Sequence, residues 1–259
     1  MPRRSRGAIW VRRLIKFKML NRLSQEFREI AYPKPPECCF CGKKLSLYED
    51  LWCEKCLTEI CCRKKNAQVC AICGKSAQHH AGYHVCQGCQ DRRPSFIFNR
   101  SVGGYHGLVR EVLHKFKYRG LRSLALPVGR LMALEAVKWP EYLSCDFVSF
   151  IPLASEKLNE RGYNQAELLA YEVGRWLRLP IKDVLEKVCE TPDMAKLSRE
   201  ERLSNLFNVF RCKESFAEKR VILVDDVLTT GSTATICCEQ LLAAGAENVY
   251  VLTFASGRD

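Results

Sequence analysis

The stretch VILVDDVLTTGST, residues 221–233, restricts the possible folds more than any other part of this chain. It opens with four apolar residues, three of them β-branched, the pattern of a strand buried on both faces of a parallel sheet; a half-exposed strand would alternate. Asp225 and Asp226 follow at the strand's carboxyl end, where open α/β sheets place their ligands. Thr229, Thr230, Gly231, Ser232 and Thr233 then lead into an apolar-periodic helix predicted over 234–244. Free N–H groups at a helix start, with hydroxyls beside them, wrap a phosphate, and Gly231 lets the backbone approach closely. The two carboxylates suit sugar hydroxyls instead. A Walker B reading of strand plus acids needs a GxxxxGK[ST] loop upstream, and the chain has none. A plain helix cap by Ser232 or Thr233 leaves the two acids unexplained.

With 259 residues, 47% of them hydrophobic, the chain can bury a full core and reads as one principal domain plus a smaller module. No apolar run reaches the length of a membrane span, and the short apolar stretch near the N-terminus is interrupted by Arg12 and Arg13, unlike a secretory signal. A cytoplasmic protein is expected. Two thirds of the formal net charge of +12 falls in residues 1–35, which carry ten basic side chains against Glu26 and Glu29. Leu14, Phe17, Leu20, Leu23, Phe27 and Ile30 recur there at helical spacing. Residues 1–32 therefore read either as a basic amphipathic leader suited to nucleic acid, an anionic membrane surface or targeting, or as a tail with a solvated basic face.

Half of the 16 cysteines lie in four C-x-x-C pairs: Cys38/Cys41, Cys53/Cys56, Cys70/Cys73 and Cys86/Cys89. The run CxxCGK at Cys38 recurs 32 positions later at Cys70, and each copy is closed by a further pair after 11 or 12 residues. This is an internal duplication. Tetrahedral zinc takes four thiolates, and a C-x-x-C turn delivers two of them. The simplest assignment is one zinc on Cys38, Cys41, Cys53 and Cys56 and a second on Cys70, Cys73, Cys86 and Cys89, with interleaved ligation as the alternative. Closed sites of this kind leave no position for substrate and are structural. Cys39 breaks the knuckle spacing, Cys61 and Cys62 read as free thiols between the units, and His79, His80 and His84 read as surface residues. The organisation expected is a leader over 1–32, a double ribbon over 33–93 and an α/β domain over 94–259.

Beyond residue 94 strand and helix patterns alternate, which implies a parallel sheet. Strands are predicted over 96–102, 146–151, 181–188 and 248–254, and helices over 107–118, 127–137 and 166–177. A polar loop from Pro152 to Gln165 precedes the last of these helices. In it Arg161 supplies a forked cation and Gly162 a flexible backbone, a combination suited to pyrophosphate. Residues 189–208 are polar and poor in strand pattern, as in a hood or lid, with a short helix expected to begin at Ser198 and carry Arg199 and Arg202. Lys115-Phe116-Lys117-Tyr118-Arg119 alternates cations with rings, which fits either a single-strand stacking groove or an amphipathic helix end with two packed aromatics. Cys145, Cys189, Cys212, Cys237 and Cys238 read as small packing residues.

VILVDDVLTTGST resembles the phosphoribosyl pyrophosphate (PRPP) motif of type I phosphoribosyltransferases. With the cysteine pairs, a strand ending in IPL, RGYNQAELLA and LSREERLSN in the same order, all but about the first 20 residues resemble the ComF family, with Tyr163 where Phe is usual and Met194 where Gln is expected. The resemblance implies a type I phosphoribosyltransferase fold, a parallel sheet flanked by helices with a hood, behind a small double zinc ribbon. It also implies a role in DNA uptake and single-stranded DNA handling during natural competence, alongside DNA-uptake or helicase proteins. In an enzyme of this kind Asp225 and Asp226 hold the ribose, residues 229–233 hold the 5′-phosphate, and Arg161 and Gly162 hold the pyrophosphate. Magnesium then bridges pyrophosphate and ribose oxygens, alongside two structural zinc ions. Whether such a chain turns PRPP over stays open. The alternatives are an inactive PRPP-fold module that binds nucleic acid and a nucleobase or amine phosphoribosyltransferase of nucleotide metabolism.

Overall fold

The computed structural model describes residues 37–45, 49–61, 68–77, 84–188 and 209–257. The basic leader, Cys62, His79, His80, Cys189 and the hood segment with Met194, Ser198, Arg199 and Arg202 lie outside the described residues. The chain divides into two compact units, Met1–Cys53 and Glu54–Asp259. In the first, Glu37 bridges Lys44 across a turn closed by Cys38 N–H to the Lys43 carbonyl (2.6 Å) and Gly42 N–H to the Cys38 carbonyl (2.8 Å).

The second unit begins with α1 (Glu54–Cys61), β1 (Gln68–Val69), β2 (Ser76–Ala77) and α2 (Gln87–Asp91). The duplication in sequence is a duplication in structure. Val69 pairs with Ser76, and Cys70 N–H and Gly74 N–H repeat the two turn bonds of Cys38 and Gly42 at 2.8 and 2.9 Å.

The principal sheet contains β3 (Asn99–Gly104), β4 (Phe147–Phe150), β7 (Lys219–Leu228) and β8 (Ala246–Ser256) in the order β3-β8-β7-β4, every pairing parallel. Parallel neighbours need crossover helices. These are α3 (Gly107–Tyr118), α4 (Ala125–Ala136), the short α5 (Pro140–Leu143) and α6 (Ser155–Arg161), then α7 (Gln165–Leu177) and α8 (Ser232–Ala243). Val221 and Leu223 share a core with Cys237, Cys238 and Leu241 of α8, while α4 and α7 pack on each other and on the sheet. The sheet is therefore covered on both faces, which explains why Val221 to Val224 are all buried. Among the described residues no helix is long and apolar enough to cross a membrane.

Two expected elements differ. Residues 181–188 do not form one strand: Ile181 makes a single parallel bridge to Val148, and β5 (Leu185–Lys187) pairs antiparallel with β6 (Phe210–Cys212). That ladder ties together the two ends of the 189–208 segment. The loop after Pro152 contains α6, because Glu, Lys, Leu and Arg are good helix formers and Glu156 favours the first turn. Cys145, Cys237 and Cys238 are buried, as expected of packing residues.

Candidate functional site

Strand β7 carries both acids but does not stop at them. Its ladder continues past the predicted end at Asp225, with Asp225 opposite Thr253 and Leu228 opposite Ser256. The acids break the apolar run in sequence, whereas the backbone pairing with β8 is indifferent to them. Strand alternation then turns Asp225 and Asp226 to opposite sides. Asp226, 7% exposed, meets the Lys117 ammonium from the last turn of α3, with Nζ 2.5 Å from Oδ2. Asp225, whose carboxylate accepts the Asp226 N–H at 2.8 Å, lines an open concavity of about 230 Å³ together with the run from Val227 to Ala234.

These positions govern charge. Burial, reinforced by the neighbouring Asp226 charge, pushes the Asp225 carboxyl up to about 8. Burial disfavours the Lys117 ammonium, but the charge and hydrogen bond of Asp226 outweigh it and raise the lysine above its ordinary value. In sequence Lys117 stands out only as part of a cation and ring alternation. The signal that finds it as a site residue is spatial, the register of α3 against the end of β7. Its neighbours divide: Phe116 is fully buried, while Tyr118 is 59% exposed with the Arg161 guanidinium 5.2 Å from its ring centre. The segment 115–119 is thus neither a continuous stacking groove nor an end with both rings packed.

The hydroxyl loop runs into α8 through Gly231, the N-cap residue, at φ +86°. Gly231 has no side chain to cap this helix, the Thr230 hydroxyl accepts the Ser232 N–H at 3.3 Å, and Ser232 and Thr233 belong to its first turn, so neither is a cap. Thr229, Thr230, Ser232 and Thr233 are exposed, and the hydroxyls of Thr230 and Ser232 lie 3.0 Å apart. The first-turn N–H groups, the hydroxyls and the positive end of the helix dipole converge on the concavity that Asp225 also lines.

The loop at 161–165 is built by two helix ends. Gly162 caps α6 in the left-handed region (φ +71°), and Asn164 caps α7, accepting the Ala166 N–H at 3.0 Å while donating to the Ile151 carbonyl at 3.0 Å. The loop is thereby fixed to the end of β4. Arg161 Nη1 donates to Gln165 Oε1 at 3.2 Å, and Arg161 Nε is a buried donor with no hydrogen-bond acceptor among the described residues. Arg122 braces the loop from outside, donating to the Gly162 carbonyl at 2.5 Å and lying 4.8 Å over the Tyr163 ring.

The eight paired cysteines form two groups, Cys38, Cys41, Cys53, Cys56 and Cys70, Cys73, Cys86, Cys89, the ligand atoms of each lying within 4.8 Å of one another. Consecutive pairs come together, so the two groups are not interleaved. A tetrahedron of thiolates at about 2.3 Å from zinc has sulfur–sulfur edges of about 3.8 Å. Cys41 and Cys53 lie 3.7 Å apart and Cys73 and Cys86 3.6 Å apart. Backbone N–H groups of Cys53 and Cys86 also point at Cys38 Sγ (3.4 Å) and Cys70 Sγ (3.3 Å), favouring the thiolate form. Both groups fit a structural zinc ion. Cys39 stands outside its group, and burial with the charges of Cys38 and Cys41 pushes its thiol well up.

No protein-family model matches the chain. Competence protein F of Haemophilus influenzae is 29% identical over 83% of this chain and 94% of that protein. The DNA utilization protein YhgH of Escherichia coli K12 is 27% identical over 75% of this chain and 88% of that protein. Competence protein ComFC of Bacillus subtilis is 31% identical over 74% and 78%. Among solved structures, a purine phosphoribosyltransferase from Pyrococcus horikoshii is similar at 22% identity and a TM-score of 0.31, over 48% of this chain and 68% of that chain. From its two four-cysteine groups, its parallel sheet flanked by helices and its identity to ComFC, the chain belongs to the ComF family, a double zinc ribbon joined to a type I phosphoribosyltransferase domain.

Proposed function

We propose that the chain binds PRPP with magnesium at the carboxyl end of β7 and uses this site in handling single-stranded DNA during uptake. The observation that carries the reading is the convergence of an acid pair, a helix-start hydroxyl loop and two cations, Lys117 and Arg161, on one corner of the sheet. Residues 229–233 would take the 5′-phosphate, Asp225 and Asp226 the ribose hydroxyls, and Arg161, with the amides of the Gly162 loop, the pyrophosphate. The oxygen donors of this corner, carboxylates and hydroxyls, suit a hard cation, and magnesium supplies neutralisation of the pyrophosphate charge when it arrives with PRPP. If pyrophosphate departs, positive charge grows on the ribose ring, and ionised acids at this corner would favour that charge.

The test is equilibrium dialysis of PRPP with magnesium, combined with an assay for released pyrophosphate. Wild type retains PRPP, and Gly231→Val, which cannot hold φ +86° without strain, loses most of that retention. Equal retention by both would contradict the site. Pyrophosphate release in the presence of an amine or nucleobase identifies an enzyme; retention without release identifies a binding module.

The role in DNA handling is supported by the names of the three relatives, two competence proteins and a DNA utilization protein. It is supported too by the exposed Tyr118 ring flanked by Lys117, Arg119 and Arg161. Single-strand affinity that rests on these cations and on the basic leader falls steeply with salt. Affinity independent of salt would contradict it.

A further inference from the structure

We propose that the second four-cysteine group is the floor of the PRPP site, with Asn99 as the positioning residue between them, so that metal in this group and PRPP stabilise each other. The inference rests on the PRPP reading above. Its basis is a set of buried contacts within the second unit that join the turn at residues 71–74 to the two functional segments of β7.

The first connection leads to the acid. Asn99 Nδ2 donates to the Cys73 carbonyl at 2.9 Å and to Ser101 Oγ at 3.0 Å, Ser101 Oγ lies 2.8 Å from Thr253 Oγ1, and Thr253 donates back to Asn99 Oδ1 at 3.2 Å. Asn99 and Thr253 are 0% exposed and Ser101 2%. Ser101 is opposite Thr253, and Thr253 is opposite Asp225. Registered neighbours in a sheet share a face, so a polar row runs from the cysteine turn through β3 and β8 to the acid on β7.

The second connection leads to the phosphate loop. Ser256 Oγ donates to the Gly74 carbonyl at 3.1 Å; Ser256 is opposite Leu228, and Gly257 N–H donates to the Leu228 carbonyl at 3.0 Å. Leu228 is the residue before Thr229. The turn itself is clamped. Asn99 N–H donates to the Ile72 carbonyl (2.7 Å) and Arg100 Nη1 to the Ala71 carbonyl (3.0 Å), with the Arg100 guanidinium 4.3 Å over Phe98 and 4.0 Å over Trp139.

Four thiolates on one metal set the shape of a knuckle turn. Here the carbonyls that the turn presents, those of residues 71–74, are the acceptors for buried donors of β3 and β8. Metal loss lets the turn relax, those donors lose acceptors they cannot replace with water, and the strands carrying Asp225 and Thr229 shift with them. Coupling between two ligands is reciprocal, so whatever factor metal adds to PRPP affinity, PRPP adds to metal affinity.

The experiment is equilibrium competition for zinc between the full chain and a chromogenic chelator, in excess magnesium, with and without PRPP, with PRPP binding followed by calorimetry in the same buffer. In wild type, PRPP makes one of two zinc ions on the order of tenfold harder to remove and leaves the other unchanged. Ser256→Ala and Asn99→Ala keep two zinc per chain, bind PRPP on the order of tenfold more weakly and lose that shift. Ser256→Ala removes only one hydroxyl and serves if Asn99→Ala does not fold. PRPP that binds yet leaves both zinc ions equally removable overturns the proposal, as does a full shift in the variants. No PRPP binding at all by calorimetry overturns the PRPP reading and this inference with it.

Discussion

Asp225 and Asp226 are neighbours in the chain that face different surroundings, and their chemistry separates accordingly. Asp226 has Lys117; Asp225 has burial and a like charge, which push its carboxyl up to about 8. An unfolded aspartate ionises near 4. Between these values the folded chain binds the extra proton, so stability falls as pH rises from about 4 to about 8 and then levels. Asp225→Asn escapes this slope. It matches wild type near pH 4 and becomes progressively more stable than wild type as pH rises to 8, measured by denaturant melts at both values. A difference that does not grow with pH would contradict the assignment. The two knuckle glycines provide a second comparison. Gly42 and Gly74 share a left-handed φ, +74° and +71°, but an added Cβ meets nothing within 4 Å at Gly42 and lies 2.8 Å from the Asn99 carbonyl oxygen at Gly74. Alanine costs roughly 1–2 kcal/mol at either position for the backbone alone. Thermal melts should show Gly74→Ala clearly the more damaging, and equal losses would refute the contact.

At the scale of elements, the ladder of β7 brings the acid pair to the end of α3. Lys117→Met leaves Asp226 buried and unpaired and costs roughly 2–4 kcal/mol, most of it recovered when Asp226→Asn is added. A double-mutant cycle measures this, and simple additivity would show that the pair is not coupled. Helix α3 was legible in sequence to the residue, 107–118, because its apolar positions recur at helical spacing over three turns. The acid and hydroxyl segment was legible because one stretch of chain carries it. Helix α6 was hidden, being seven residues long with no buried side chain and hence no apolar stripe to reveal it. Lys117 as a site residue was hidden for a different reason. Its partner lies 109 positions away in sequence, and local periodicity contains no information about which strand end a helix terminus will meet.

For the whole molecule, the duplicated cysteine units are alike in sequence and in turn geometry, yet the second turn is hydrogen-bonded into the sheet of its own unit. The repeat of CxxCGK foretold two equivalent modules; the buried side of Gly74, closed by Asn99, is a tertiary fact that the repeat does not encode. The same unit thus contains a four-cysteine group, a parallel sheet and a corner where acids, cations and a helix start meet. The central claim is that this corner is a PRPP site. Titration calorimetry of the full chain with PRPP and magnesium, compared with the Asp225→Asn, Asp226→Asn double variant, tests it most directly. Wild type should bind saturably and the variant at least tenfold more weakly, with the variant folded by circular dichroism. Undiminished affinity in the folded double variant would contradict it.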